Sequence, residues 1–241
     1  MQILNLEKGT YFQMGKGQNW RVVHPDMGAK QLTLNHGLHA PGNEFTQHTH
    51  GEPEDAIVVL EGNVSLRQGD ILTPVAAGEV IFIPSNEVHG TVNTSDKQAR
   101  VMSFQSPPDM ALYRGERDQS ASTIPKPKEG HRSGVQITSM SKGGPVFGKP
   151  GNWRSIVSAE RGAKHLALDY IELDSGEGFQ HSSGKTEEIY VLISGAARMQ
   201  ADGEQHNLQA HDVIFLNAGD IFSLSQSGVK SVKLVHCWAQ I

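Results

Sequence analysis

The feature that most narrows what this chain can fold into is an internal repeat at a near-constant offset of 133 residues. GQNWR (17–21) recurs as PGNWR (150–154), His48 falls on His181, Gly62 on Gly195 and His89 on Phe222. The offset drifts by one where Gly28-Ala29-Lys30 matches Gly162-Ala163-Lys164. The N-terminus takes part as well, with Gln2, Lys8 and Gly9 matching Gln136, Lys142 and Gly143. A unit of this length can bury a core of its own, so the 241 residues are read as two small domains rather than one large one. The expected boundaries are 1–108 and 134–241. Between them, 109–133 is polar and without a counterpart before residue 1, and counted from Ser106 the stretch carries four prolines. It reads as a connection running along the first domain or over one of its mouths, with one helical turn at DMALYRGER (109–117).

Each copy reads as short strands. QLTLNHGLH (31–39) and HLALDYIEL (165–173) alternate apolar and polar residues, as half-buried strands do. DAIVVLEG (55–62) and EIYVLISG (188–195) are apolar at consecutive positions, which fits strands covered on both faces. GEVIFIP (78–84) and HDVIFLN (211–217) are strands again, and Gly69-Asp70 and Asp202-Gly203 mark hairpin turns. With 26 glycines and 11 prolines punctuating the apolar runs, the fold class is all-β, a sandwich or barrel in each half.

The chemistry concentrates between Gly42 and Asn93, in PGNEFTQHTHGEPEDAIVVLEG (41–62) and GEVIFIPSNEVHGTVN (78–93). Side chains at i and i+2 of a strand share a face, so His48 and His50 can grip one ion from the same side. An acid across the next hairpin, Glu54 or Asp55, and a third imidazole from His89 would complete the cluster. Three nitrogens and one oxygen suit Fe(II), Mn(II), Ni(II) or Zn(II) better than Ca(II) or Mg(II). Burying three imidazoles and a carboxylate without a cation would be costly.

These two runs resemble the paired motifs of the cupin superfamily, small β-barrels that usually hold one divalent metal. The resemblance implies two tandem jelly-roll barrels and the ligand set His48, His50, Asp55 and His89. Asp55 stands seven residues before Gly62, where the family usually has Glu, and Asn86 stands where the second motif usually has Gly. A shorter Asp could instead hydrogen-bond a ligand histidine, leaving a three-histidine site. In the second copy Ser183 replaces His50 and Phe222 replaces His89, so only His181 and Glu188 persist. That domain is expected to be structural or substrate-binding, with no metal of its own. One divalent transition metal per chain is therefore expected. Duplicated cupins include dioxygenases, decarboxylases, isomerases and hydrolases acting on small polar or aromatic molecules. The expectation here is an enzyme of that kind, a dioxygenase first, with a non-catalytic metal-containing binding or sensor protein as the alternative. Exposed edge strands make a homodimer the expected assembly.

The other histidines (His24, His36, His39, His131, His165, His206 and His236) read as solvated or hydrogen-bonded surface residues, though His36 or His39 is near enough to face a pocket. Arg21 and Arg154, each following a tryptophan, could pair with a substrate carboxylate but read first as surface residues. A formal charge of −5 without a basic cluster gives no reason to expect nucleic acid or an anionic membrane. No apolar run approaches a membrane span. Cys237 is the single cysteine, a small buried residue in KLVHCWAQI (233–241), so a reducing cytoplasm is the expected setting.

Overall fold

The computed structural model describes residues 1–14, 17–116 and 124–240. They divide into two compact units, Thr10–Ser139 and Met1–Gly9 with Met140–Ile241. Each is a jelly roll of one seven-stranded and one four-stranded antiparallel sheet, the architecture that the resemblance implies.

In the first unit the seven-stranded sheet runs, edge to edge, Gln136–Ser139, Glu79–Ile83, Glu54–Glu61, Ala99–Ser106, Thr33–His39, Gly17–Val23 and Thr10–Met14. The four-stranded sheet runs Glu44–His48, His89–Val92, Asn63–Gln68 and Ile71–Ala76. The core lies between them, with Ile57, Val59, Ile81, Ile83 and Val101 of the larger sheet packed with Val64, Leu66 and Val75 of the smaller. The second unit matches strand for strand. Glu188–Ser194, Ala196–Ala201, Glu204–Gln209, Asp212–Leu216 and Val232–Ala239 stand in its sheets as their counterparts do in the first. The hairpin turns fall at Gly69-Asp70 and Asp202-Gly203, as expected.

The boundaries fall differently from those drawn on the sequence. Gln2–Asn5 pairs with Asp212–Leu216 and belongs to the second unit, while Gln136–Ser139 pairs with Glu79–Ile83 in the first. These are the two repeat-related segments around Gln2 and Gln136, so corresponding segments perform the same edge-covering task in each unit. An uncovered strand edge invites unwanted pairing, and the added strand removes that hazard. The connection is part of the first unit: Gln68 donates to Ser133 Oγ at 2.9 Å, and the Gly134 N–H donates to Glu87 Oε1 at 2.8 Å. The helical turn forms at Met110–Tyr113, capped by Asp109 Oδ1, which accepts from the Leu112 N–H at 2.9 Å. Arg117, the last residue of the expected turn, lies outside the described residues.

Three local devices hold the two motifs in place. The Gly42 N–H donates to Asn93 O at 2.8 Å and the Asn93 N–H to Asn43 O at 2.9 Å, which ties the start of one motif to the end of the other. Gly62 has φ +72°, and a β-carbon there would lie 2.7 Å from Gln98 O, so only glycine fits. Asn86, at the usual glycine position, has φ +66°, a left-handed conformation that asparagine tolerates, and its N–H donates to His50 O at 2.8 Å. The departure from the family pattern is thus conformationally silent. Among the described residues no helix is long and apolar enough to cross a membrane.

Candidate metal centre

His48 ends the strand Glu44–His48 and stands in register with His89, which opens His89–Val92. His50 follows two residues on, and Asp55 enters from Glu54–Glu61 in the facing sheet. All four side chains are buried. One ligand atom from each lies within 4.8 Å of the others, so the structure brings together all four residues expected from the motifs. Glu54 is equally buried, but it is not one of this group.

The hydrogen bonds on the far side of each ring decide what the near side presents. His48 Nδ1 lies 2.9 Å from Thr46 O and His89 Nδ1 lies 3.0 Å from Glu87 O. A carbonyl only accepts, so both Nδ1 atoms carry the proton. His50 Nδ1 donates to Asp109 Oδ2 at 2.7 Å. With all three protons held outward, the Nε2 lone pairs converge. His48 Nε2 and His50 Nε2 are 3.2 Å apart, and His89 Nε2 is buried without a hydrogen-bond partner. Facing lone pairs at that distance repel unless a cation lies between them. Asp55 Oδ2 stands 3.1 Å from His50 Nε2 and 3.6 Å from His89 Nε2. Three imidazole nitrogens and one carboxylate oxygen, each ring oriented by an outer acceptor, fit a divalent transition metal.

The outer layer includes residues that motif spacing did not single out. Gln105 Nε2 donates to Asp55 Oδ1 at 2.9 Å, and Gln105 Oε1 accepts from the Asp109 N–H at 2.8 Å. Gln105 was legible as an inward position two and four residues beyond Ser103 and Val101. Asp109 was not, because it lies past the last strand, where no periodicity points inward. A cavity of about 230 Å³ adjoins the cluster, lined by Asn35, Ile57 and Ser103 of the sheet and by Leu112 and Tyr113 of the turn that follows Asp109.

The second unit fills the same space. Its counterparts of Asn35, Ile57 and Ser103 are Asp169, Tyr190 and His236, again side by side across three strands. Tyr190 stacks on His236 with ring centroids 4.0 Å apart and planes 7° apart. Phe222, in register with His181 as His89 is with His48, is buried against Tyr190. The expectation that His181 and Glu188 stand alone is corrected: His236 joins them, and both Nε2 atoms lie 2.7 Å from Glu188 Oε2. Burial would raise Glu188, but the two imidazoles bring its carboxyl down to about 2. His236 Nδ1 has no partner, so this ring lacks the outer acceptor that each ring of the first cluster has. Neutral imidazoles donating Nε2–H to Glu188 account for the arrangement without an ion.

Three of the histidines read as surface residues are buried. His36 stacks on Trp20 at 5.2 Å and meets Arg100 Nη1 at 3.1 Å, and burial pushes His39 and His236 down to about 4. Strand alternation made His236 legible, since it sits two residues from the core residue Leu234 on the strand Val232–Ala239. Cys237 is a buried free thiol, as expected.

Residues 38–104 match the family model of the Cupin domain. No curated protein sequence matches the chain. Protein Ylba from E. coli is similar in structure, with a TM-score of 0.76 at 11% identity over 99% of this chain and 90% of that one. So is oxalate decarboxylase from Bacillus subtilis, with a TM-score of 0.73 at 16% identity over 99% and 76%. At these identities the likeness is one of fold.

Proposed function

We propose that this protein, a tandem of two cupin folds, is an enzyme that holds one divalent transition metal on His48, His50, Asp55 and His89 and acts on a small polar molecule in the adjoining cavity. The observation that carries the reading is the convergence of three Nε2 lone pairs whose Nδ1 protons are all committed outward. When bound, such a metal supplies Lewis acidity or oxygen activation at the coordination positions the protein leaves open. The chain's own contribution is to orient those ligands, to line the cavity with Asn35, Ser103 and Gln105 as hydrogen-bonding groups, and to cover it with the turn carrying Leu112 and Tyr113.

A dioxygenase is the first reaction class. Asp55 and Asp109, the carboxylates lining the cavity among the described residues, are both engaged with His50, so neither is free to act as a general base. Chemistry centred on the metal needs no carboxylate base, and a reaction that does need a base would draw on His24, His36 or His39, which line the same cavity. The same feature supports a second reading, a non-catalytic protein whose metal holds a ligand. Anaerobic reconstitution with Fe(II), followed by oxygen-uptake screening against diols, diketones, phenols and thiol acids, separates them. The dioxygenase consumes oxygen with Fe(II) and not with redox-inert Zn(II). Equal turnover with both metals and no oxygen uptake moves the protein to decarboxylases, isomerases or hydrolases. Ligand binding without turnover supports the second reading. The free buried thiol of Cys237 is consistent with a cytoplasmic setting.

A further inference from the structure

We propose that Arg21 is the anion-binding residue of this cavity and that the substrate carries a carboxylate, an inference that rests on the metal reading above. Arg21 lies on Gly17–Val23, paired with Asn35 of Thr33–His39, and both side chains line the cavity that adjoins the four-ligand cluster. Of the two readings of Arg21, the proposal takes the pairing with a substrate carboxylate.

Its guanidinium is held in place by groups that do not neutralise it. The central carbon lies over the Tyr113 ring at 4.4 Å and over the Phe12 ring at 5.0 Å, and Nη2 donates to Tyr113 O at 3.3 Å. Among the described residues no carboxylate forms an ion pair with it, and Asp26 meets the Tyr113 hydroxyl instead. Aromatic faces and a carbonyl fix the plane of the fork and leave other N–H donors unassigned. That is how a bidentate carboxylate site is preorganised. The charge of the cavity argues the same way. Asp55 and Asp109 balance one divalent ion, and Asp26 is held at the hydroxyl end of the Tyr113 ring, so the Arg21 fork faces the cavity without a carboxylate on it. A substrate carboxylate supplies the missing partner while its other polar atoms reach toward the metal. An uncharged substrate would leave Arg21 unmatched.

The test is calorimetric titration of the Zn(II)-loaded protein with acetate, pyruvate, malonate and benzoate, each beside its uncharged amide. At least one carboxylate is expected to bind, with its amide weaker by about tenfold or more, the worth of one charge-assisted pair. Arg21→Gln should weaken that carboxylate by about tenfold or more and leave the amide within about twofold. Arg21→Lys, which keeps the charge without the fork, should fall between and guards against misfolding of the first variant. Binding of no carboxylate in the panel, or equal binding to wild type and Arg21→Gln, overturns the proposal. Repeating the titrations on metal-free protein separates the two readings. Arg21-dependent binding that ignores the metal sinks the metal-centred function and keeps the anion site. Metal-dependent binding that ignores Arg21 does the reverse.

Discussion

Replacing Asp109 tests whether the metal centre extends beyond its four inner residues. One carboxylate performs two tasks there: Oδ2 accepts from His50 Nδ1 at 2.7 Å, and Oδ1 caps the turn Met110–Tyr113 at 2.9 Å. Asp109→Ala removes the charge-assisted bond that orients His50 and leaves the Nδ1–H beside a gap in a buried site. Loss of such an outer partner typically weakens metal binding by about 10- to 100-fold, or roughly 1.4 to 2.7 kcal/mol. The short contact and the burial of His50 place Asp109→Ala near the upper end. Asp109→Asn keeps the shape and offers a neutral oxygen to either partner, so about tenfold is expected. Loss of the cap should separately loosen the turn, costing about 1 kcal/mol locally. Zn(II) affinity is read by chelator competition, and the turn by hydrogen exchange at residues 110–115. Protection there should rise on metal loading in wild type and much less in Asp109→Ala. A Zn(II) affinity within about twofold of wild type in Asp109→Ala would refute the role assigned to the outer acceptor.

Elemental analysis should find one metal per chain, abolished or sharply reduced by His89→Ala and unchanged by Glu188→Ala; two metals, or loss on Glu188→Ala, would overturn the assignment to the first unit. Asp169 is buried and raised to about 6 by that burial, partly offset by Lys149, so its folded form favours the proton, and the stability this provides fades as pH rises from about 4 to about 6. Asp169→Asn should therefore raise stability at pH 7.5 by up to about 3 kcal/mol and flatten the slope of urea midpoints across that window, and an unchanged slope would count against it. A β-carbon at Gly90 would lie 2.7 Å from Phe45 O and 3.0 Å from Gln47 N, next to the His48–His89 pair. Gly90→Ala should push the two strands apart, costing about 1–3 kcal/mol and lowering metal content, and normal melting with full metal content would refute this.

The duplication, the strands and the cluster of His48, His50, Asp55 and His89 were legible in the sequence because each rests on local rules. Alternation places His48 and His50 on one side of their strand, motif spacing supplies Asp55 and His89, and a constant offset exposes the copy. The tertiary structure decided what those rules do not reach. Edge pairing sent Gln2–Asn5 to one unit and Gln136–Ser139 to the other, because a strand takes its partner by hydrogen-bonding register rather than by nearness in the chain. Asp109 and Arg21 became part of the first cavity through the fold of a segment with no periodicity, which brought Tyr113 back over the sheet. In the second unit, Tyr190 and His236, each larger than its counterpart Ile57 or Ser103, close the space those residues leave open, with the equal-sized Asp169 beside them at the position of Asn35. Side-chain volume at paired positions, summed across strands far apart in sequence, separates a cavity from a core, and that sum exists only once the strands are paired.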